Sequence, residues 1–288
     1  MTTTIALDAR WAAVQAGFYR GWIETRQNLT ETAYVIGYLI PPVAYTAVLL
    51  AIRGKNVPGT GFALAVMVLP SLLGWSIVFG GLSGPAGVIA ADREDGTLLR
   101  AKATPNGMLG YLVGKIVMFA LTTLVSVIAI IVPGMMVVDT LHLDARAWLL
   151  LALIFVGGMA ATVPIGVALG SVVKSALQAG LVPLACALLI FPSGIFYPMS
   201  VLPTWLQWVG QAFPFYWMGL GARSAMLPAE MVVAEIGKSW RPVEMVAVLG
   251  VWTVAGMVLA PILLRRMARR QSGSTVAAAR ERVMSKGY

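Results

Sequence analysis

The run Asp92-Arg-Glu-Asp-Gly-Thr-Leu-Leu-Arg-Ala-Lys-Ala-Thr-Pro105 brings both signs of charge, a glycine and a proline into one short stretch. Acids (Asp92, Glu94, Asp95) precede Gly96, and bases (Arg100, Lys102) follow it. That order complements the dipole of a short helix begun at the glycine. Thr104-Pro105 ends it, because proline disfavours helical geometry at the residue before it. No nucleophile stands beside a base in this run, so its chemistry is that of a surface loop or a docking contact.

Elsewhere the candidates for chemistry are few. Gly110-Tyr-Leu-Val-Gly114-Lys115 has the ending of a phosphate loop, but is one residue short of the required glycine spacing, and Ile116 stands where Ser or Thr would hold magnesium. Gly237-Lys238-Ser239 ends correctly, but Val232 occupies the first glycine position. If ATP drives this protein, another subunit binds it. His142, near Asp139 and Asp144, reads as part of a solvated loop rather than a metal site. Cys186, inside an apolar run, reads as a small core residue.

The elements around these residues are those of a membrane protein. The chain is 59% hydrophobic and 11% charged, with mean hydropathy +0.83, whereas soluble domains run near a quarter charged. Six apolar segments, each near the ~20 residues that cross a bilayer or longer, cover about 33–52, 62–91, 111–138, 147–173, 176–197 and 243–264. Pro85, flanked by Gly84 and Gly87, is a candidate break in the second. Interior prolines such as Pro41, Pro42, Pro133 and Pro164 are tolerated where neighbouring helices satisfy the freed carbonyls. The expected fold is therefore all-α and polytopic, with six transmembrane helices in one bundle (33–264). No signal peptide is expected in the charged first 32 residues.

Charge sets the expected topology. Arg10, Arg20, Arg26, Arg93, Arg100, Lys102, Lys115, Lys174 and the basic tail 265–288 fall on the side of the termini, and fewer basic residues on the other. The positive-inside rule then puts both termini in the cytoplasm. The +9 balance is explained by this placement; no continuous basic face exists to track a nucleic acid. Residues 1–32 hold an amphipathic helix, with Trp11, Phe18 and Trp22 on one apolar stripe opposite Arg10, Arg20, Glu24 and Arg26, lying in the membrane interface. The stretch from Pro198 to Pro242, rich in aromatics, reads as an external helix pair dipping into the outer interface. Gly166/Gly170 and Gly158/Thr162 are small-residue pairs of a kind expected by chance among 30 glycines. No carboxylate lies deep in a span, and Glu244 sits only at an edge, which disfavours proton- or sodium-driven transport.

Two segments resemble a known family. Arg93, Glu94, Gly96, Thr97, Leu98, Thr104, Pro105, Gly114 and Lys115 match in order the coupling-helix signature of the type-2 ATP-binding-cassette permeases, with Asp92 a conservative variant. Leu99 and Ala101 depart from that pattern. Pro192-Ser-Gly-Ile-Phe-Tyr-Pro-Met-Ser-Val-Leu-Pro-Thr-Trp-Leu206, then Phe213-Pro-Phe-Tyr216, then Arg223 resemble the family's external segment, with Phe213 in place of the common Asn. The chain is most similar to the drug-exporting, daunorubicin-resistance-like branch.

What the resemblance implies is a half-channel in a bacterial-type cell membrane, paired with a second permease copy (identical or not) and two ATPase subunits. ATP and magnesium would sit on the ATPase, with no cofactor, catalytic residue or metal on this chain. Asp92, Arg93, Glu94, Asp95, Gly96, Thr97, Leu98, Arg100, Thr104 and Pro105 would form the coupling surface between the second and third spans. Phe196, Tyr197, Pro198, Leu202, Pro203, Trp205, Leu206 and Arg223 would shape the external gate. The cargo would be an amphipathic drug or lipid-like compound moved outward. A lipid-linked polysaccharide exporter and a non-transporting scaffold of the same fold stand as alternatives.

Overall fold

A computed structural model describes residues 2–57, 61–138, 141, 143–173 and 175–270. His142, Asp139 and the tail beyond 270 lie outside the described residues. The chain runs through α1 (Thr2–Thr30), α2 (Thr32–Ile52), α3 (Leu64–Glu94), α4 (Thr97–Lys102), α5 (Gly107–Val137) and α6 (Ala145–Val172). It continues through α7 (Ala176–Ala179), α8 (Leu181–Leu188), α9 (Thr204–Ala212), α10 (Pro214–Met226) and α11 (Pro242–Arg270). Among the described residues there is no strand, only an isolated bridge between Asn56 and Ala63.

Among the described residues, five helices are long and apolar enough to cross a membrane: Tyr34–Ile52, Leu64–Glu94, Gly107–Val137, Ala145–Val172 and Pro242–Arg269. The expected continuous span at 176–197 is instead a broken one. Its apolar helix covers Leu177–Leu188, about 18 Å at 1.5 Å per residue and short of a ~30 Å hydrocarbon core. The cause is local: a 3-10 turn at Phe191–Ser193 opens on Pro192, and Gly194 follows at φ 66°, a left-handed conformation that ends helical geometry. The opposite correction applies to α3, which passes Pro70 and Pro85 unbroken. Gly84 and Gly87 do not interrupt it. The last helix also outruns its expected end at 264, absorbing the first arginines of the tail.

α3 is the central pillar, buried around most of its circumference, as a helix apolar on all sides must be. α6 reaches it through small residues. The side chain of Thr162 occupies the space a Cβ on Gly81 would need, and a Cβ on Gly166 would stand 2.5 Å from the Gly81 carbonyl oxygen. The Gly166/Gly170 and Gly158/Thr162 pairs thus mark a close helix crossing rather than chance. α10 packs against α3 and α6 from the other end, its residues from Pro214 to Arg223 all buried.

Candidate functional site

At one end of the bundle, α1 runs along the first turns of α5. The approach is possible because glycines face each other: a Cβ on Gly17 would stand 2.6 Å from the Gly110 carbonyl oxygen, and one on Gly21 2.5 Å from that of Gly114. Gly21→Val is therefore expected to push α1 off α5, at about 1–3 kcal/mol. Limited proteolysis should then cut α1 faster than in the parent; equal cutting would show that the crossing is not required. α1 fills most of the expected 1–32, and its stripe stays outward: Trp11, Phe18 and Trp22 are 64%, 56% and 57% exposed. The glycine face of α1, not its aromatic face, meets the protein.

Bringing α1 onto α5 assembles an ion cluster. Lys115 Nζ, 5% exposed at its side chain, lies 2.9 Å from Glu24 Oε2 and 2.9 Å from Asp92 Oδ2. Tyr111 donates its hydroxyl to Asp92 at 2.8 Å, and Arg20 Nε donates to Glu24 at 2.7 Å. Arg20 and Lys115 both lie over the Tyr111 ring. Burial pushes the Glu24 carboxyl up, but Lys115 and Arg20 outweigh it and hold it below the usual 4.5. This cluster joins three segments far apart in sequence: α1, the end of α3 and the start of α5.

α4 hangs from the cluster. Gly96 enters it at φ 84°, a conformation a β-branched residue resists. Asp95 Oδ1 accepts from the Thr97 amide at 2.7 Å, and Arg100 Nη2 donates to Thr97 Oγ1 at 2.9 Å. Leu98 is fully buried and plugs the helix into the bundle. Two long side chains reach sideways: Arg93 Nη1 donates to the Val173 carbonyl at 2.9 Å, and Lys102 Nζ to that of Ala268 at 3.0 Å. Of the expected coupling residues, Asp95, Arg100, Thr104 and Pro105 are exposed, and Arg93, Glu94 and Thr97 half-buried. Asp92, Gly96 and Leu98 turn inward. They hold α4 in place from the bundle side. Asp92 is claimed by Lys115 and Tyr111 because a carboxylate this buried needs a counter-charge.

At the other end, Arg223 is fully buried. Its Nε and Nη2 grip Glu235 at 2.6 and 3.1 Å, while Nη1 donates to Ser71 Oγ at 2.7 Å and faces the Gly194 carbonyl at 3.5 Å. One guanidinium thereby fastens α10 to α3 and to the bend after α8. Of the other expected gate residues, Pro198 is buried, Phe196, Tyr197, Leu202 and Leu206 half-buried, and Pro203 and Trp205 exposed. Tyr197 donates to the Phe191 carbonyl. Trp205 stands away from this core, 68% exposed.

Sequence reasoning missed Glu24, Tyr111, Ser71 and Glu235 as partners. A signal existed for two of them. Lys115 opens an apolar run and Arg223 closes a buried one, and an ionisable group in such a place requires an opposite charge.

A family model described as "ABC-2 family transporter protein" matches residues 54–264. The chain is also similar to YvfS of Bacillus subtilis (strain 168), itself named a transport permease by inference: 25% identity over 203 residues, 69% of this chain and 80% of YvfS. Permeases of this family are generally non-enzymatic transport subunits and normally work with an ATPase partner. The family match covers most of a multi-pass helical bundle, from the turn after α2 into α11, and the chain belongs to the ABC-2 family of transport permeases.

Proposed function

We propose that this chain is the membrane-spanning subunit of an ATP-driven exporter that moves an amphipathic, drug- or lipid-like compound outward. A separate ATPase, in two copies, powers it, and a second permease copy completes the channel. Both termini face the cytoplasm, where the ATPase docks on α4. The observation that supports this reading best is the suspension of α4. Exposed Asp95 and Arg100 offer charge to a partner, while Leu98, Arg93 and Lys102 tie the same turn to the bundle core, α6 and α11. A push on α4 is carried into the spans by these ties rather than absorbed by a loose loop. The aromatic stripe of α1 would rest in the cytoplasmic interface beside it. At the far end, Arg223 and the half-buried aromatics Phe196 and Tyr197 would shape the exit.

The test is Arg100→Glu, an exposed charge reversal whose effect on folding should stay within about 0.5 kcal/mol. The tagged parent, purified in mild detergent, is expected to carry a stoichiometric ATPase. The variant should elute as the same folded species with most of that ATPase lost. An ATPase retained in full by the variant would remove α4 as the docking site.

A further inference from the structure

Resting on the transport reading above, we infer that the cavity enclosed by α2, α3 and α5 is a binding site for an uncharged amphiphile whose head bears hydrogen-bond donors. Its volume is about 480 Å³, within the ~300–1,000 Å³ of small-molecule sites. The walls belong to three spans, so an occupant sits at bilayer depth. Aromatic and hydroxyl side chains share its walls. Tyr38, Tyr45 and Phe79 supply aromatic surface suited to an apolar body. Beside them stand Ser76, Thr122 and Ser126. Each spends its hydroxyl proton on a carbonyl of its own helix, at 2.8, 2.9 and 3.2 Å respectively. Ser76 and Thr122 also interact with the hydroxyls of Tyr45 and Tyr38, so Ser126 keeps the most acceptor capacity, which calls for a donor on the ligand.

The base is the ion cluster: Arg20, Glu24, Asp92 and Lys115 all reach the cavity. Two cations and two carboxylates already pair with one another there. A net charge on the ligand would find no counter-ion and would lose its hydration without compensation. An uncharged head avoids that cost. Thr97, at the start of α4, also lines the base, so an occupant touches the residues from which the docking helix hangs.

Entry is from the side, past α2. Pro41 and Pro42 withdraw two N–H donors from the ladder of that helix, and most of its surface is free of protein contact. On its wall, a Cβ added to Gly37 meets no atom within 4 Å. Gly37→Leu can therefore fill space without a clash.

The test uses the full-length chain in lipid nanodiscs, with empty discs as blank. Three radiolabelled probes share a dodecyl chain and differ in head: dodecyl glucoside, dodecyl sulfate and dodecyltrimethylammonium. Saturable binding of the glucoside is expected, with both charged probes weaker by about tenfold or more. Gly37→Leu and Ser126→Leu, from opposite walls, should each reduce glucoside binding by about tenfold. Gly250→Leu, on the exposed face of α11, should leave it unchanged. Equal binding of all three probes, absence of saturable binding in the parent, or full binding in both filled variants would overturn the site. ATPase recruitment, read separately on the same preparations, distinguishes the two ideas. A lost site with ATPase retained removes only this inference, and a retained site with no ATPase removes the exporter reading.

Discussion

Arg223→Met is expected to unfasten α10 from α3 and to cost the protein about 3–5 kcal/mol, because it leaves the Glu235 carboxylate buried without its counter-charge. The side chains of the pair are 1% and 2% exposed, so water cannot take over the lost contacts. Ser71 Oγ, which donates to the Met67 carbonyl at 2.8 Å, would keep that bond but lose the guanidinium it accepts from. A second substitution separates this effect from loss of bulk. In Arg223→Met with Glu235→Leu, both charges are gone, and most of the stability should return, since apolar side chains of similar volume replace buried ion pairs at little cost. Heating in detergent, followed by size-exclusion chromatography of the surviving monodisperse fraction, reads both variants. Parent-like survival of Arg223→Met alone would mean that the pair is not the clamp.

Lys115→Met should have the next largest effect, toward the lower end of that same range at about 3 kcal/mol, because Glu24 and Asp92 are less completely buried, at 19% and 12%. The two carboxylates would then face each other with only Arg20 nearby. Adding Asp92→Asn, which keeps an acceptor for Tyr111, should recover much of the loss. Acid offers a second readout with opposite signs. In the parent, the folded Glu24 carboxyl lies below 4.5, so its contribution is complete above that value and is lost as pH falls through the lowered one. In the variant, Lys115 no longer lowers it and burial raises it, so mild acid above pH 4.5 should stabilise the variant while leaving the parent unchanged, and only stronger acid should weaken the parent. Proteolysis of α1 across pH measures both, and parallel curves for the two proteins would contradict the assigned role of Lys115.

Five of the spans were legible because an apolar run of about 20 residues has few other meanings. The broken span at 176–197 was not. Its composition is that of its neighbours, and the break depends on Pro192 and Gly194 acting together where α10 needs the Gly194 carbonyl for Arg223. The reverse holds for Pro85, which composition marks as a breaker and packing against α6 overrides. In the loop from Asp92 to Pro105, the order of charges around Gly96 correctly indicated a short helix. It did not indicate which charges face inward, because the partner of Asp92 is supplied by a different helix. Small-residue stripes were undervalued for the same reason: small residues four apart gain meaning only when a second helix is known to cross them, as α5 crosses α1 at Gly17 and Gly21.

The bond from Lys102 to the Ala268 carbonyl bears on how the protein is made. A ribosome delivers α4 long before α11, so during synthesis Lys102 lacks the Ala268 carbonyl and the α4 turn lacks one of its ties. Only a chain elongated through its last helix presents that turn in its finished posture. The molecule thereby carries its own maturity mark: the surface around α4 becomes fully braced when the final span has been inserted, and not earlier.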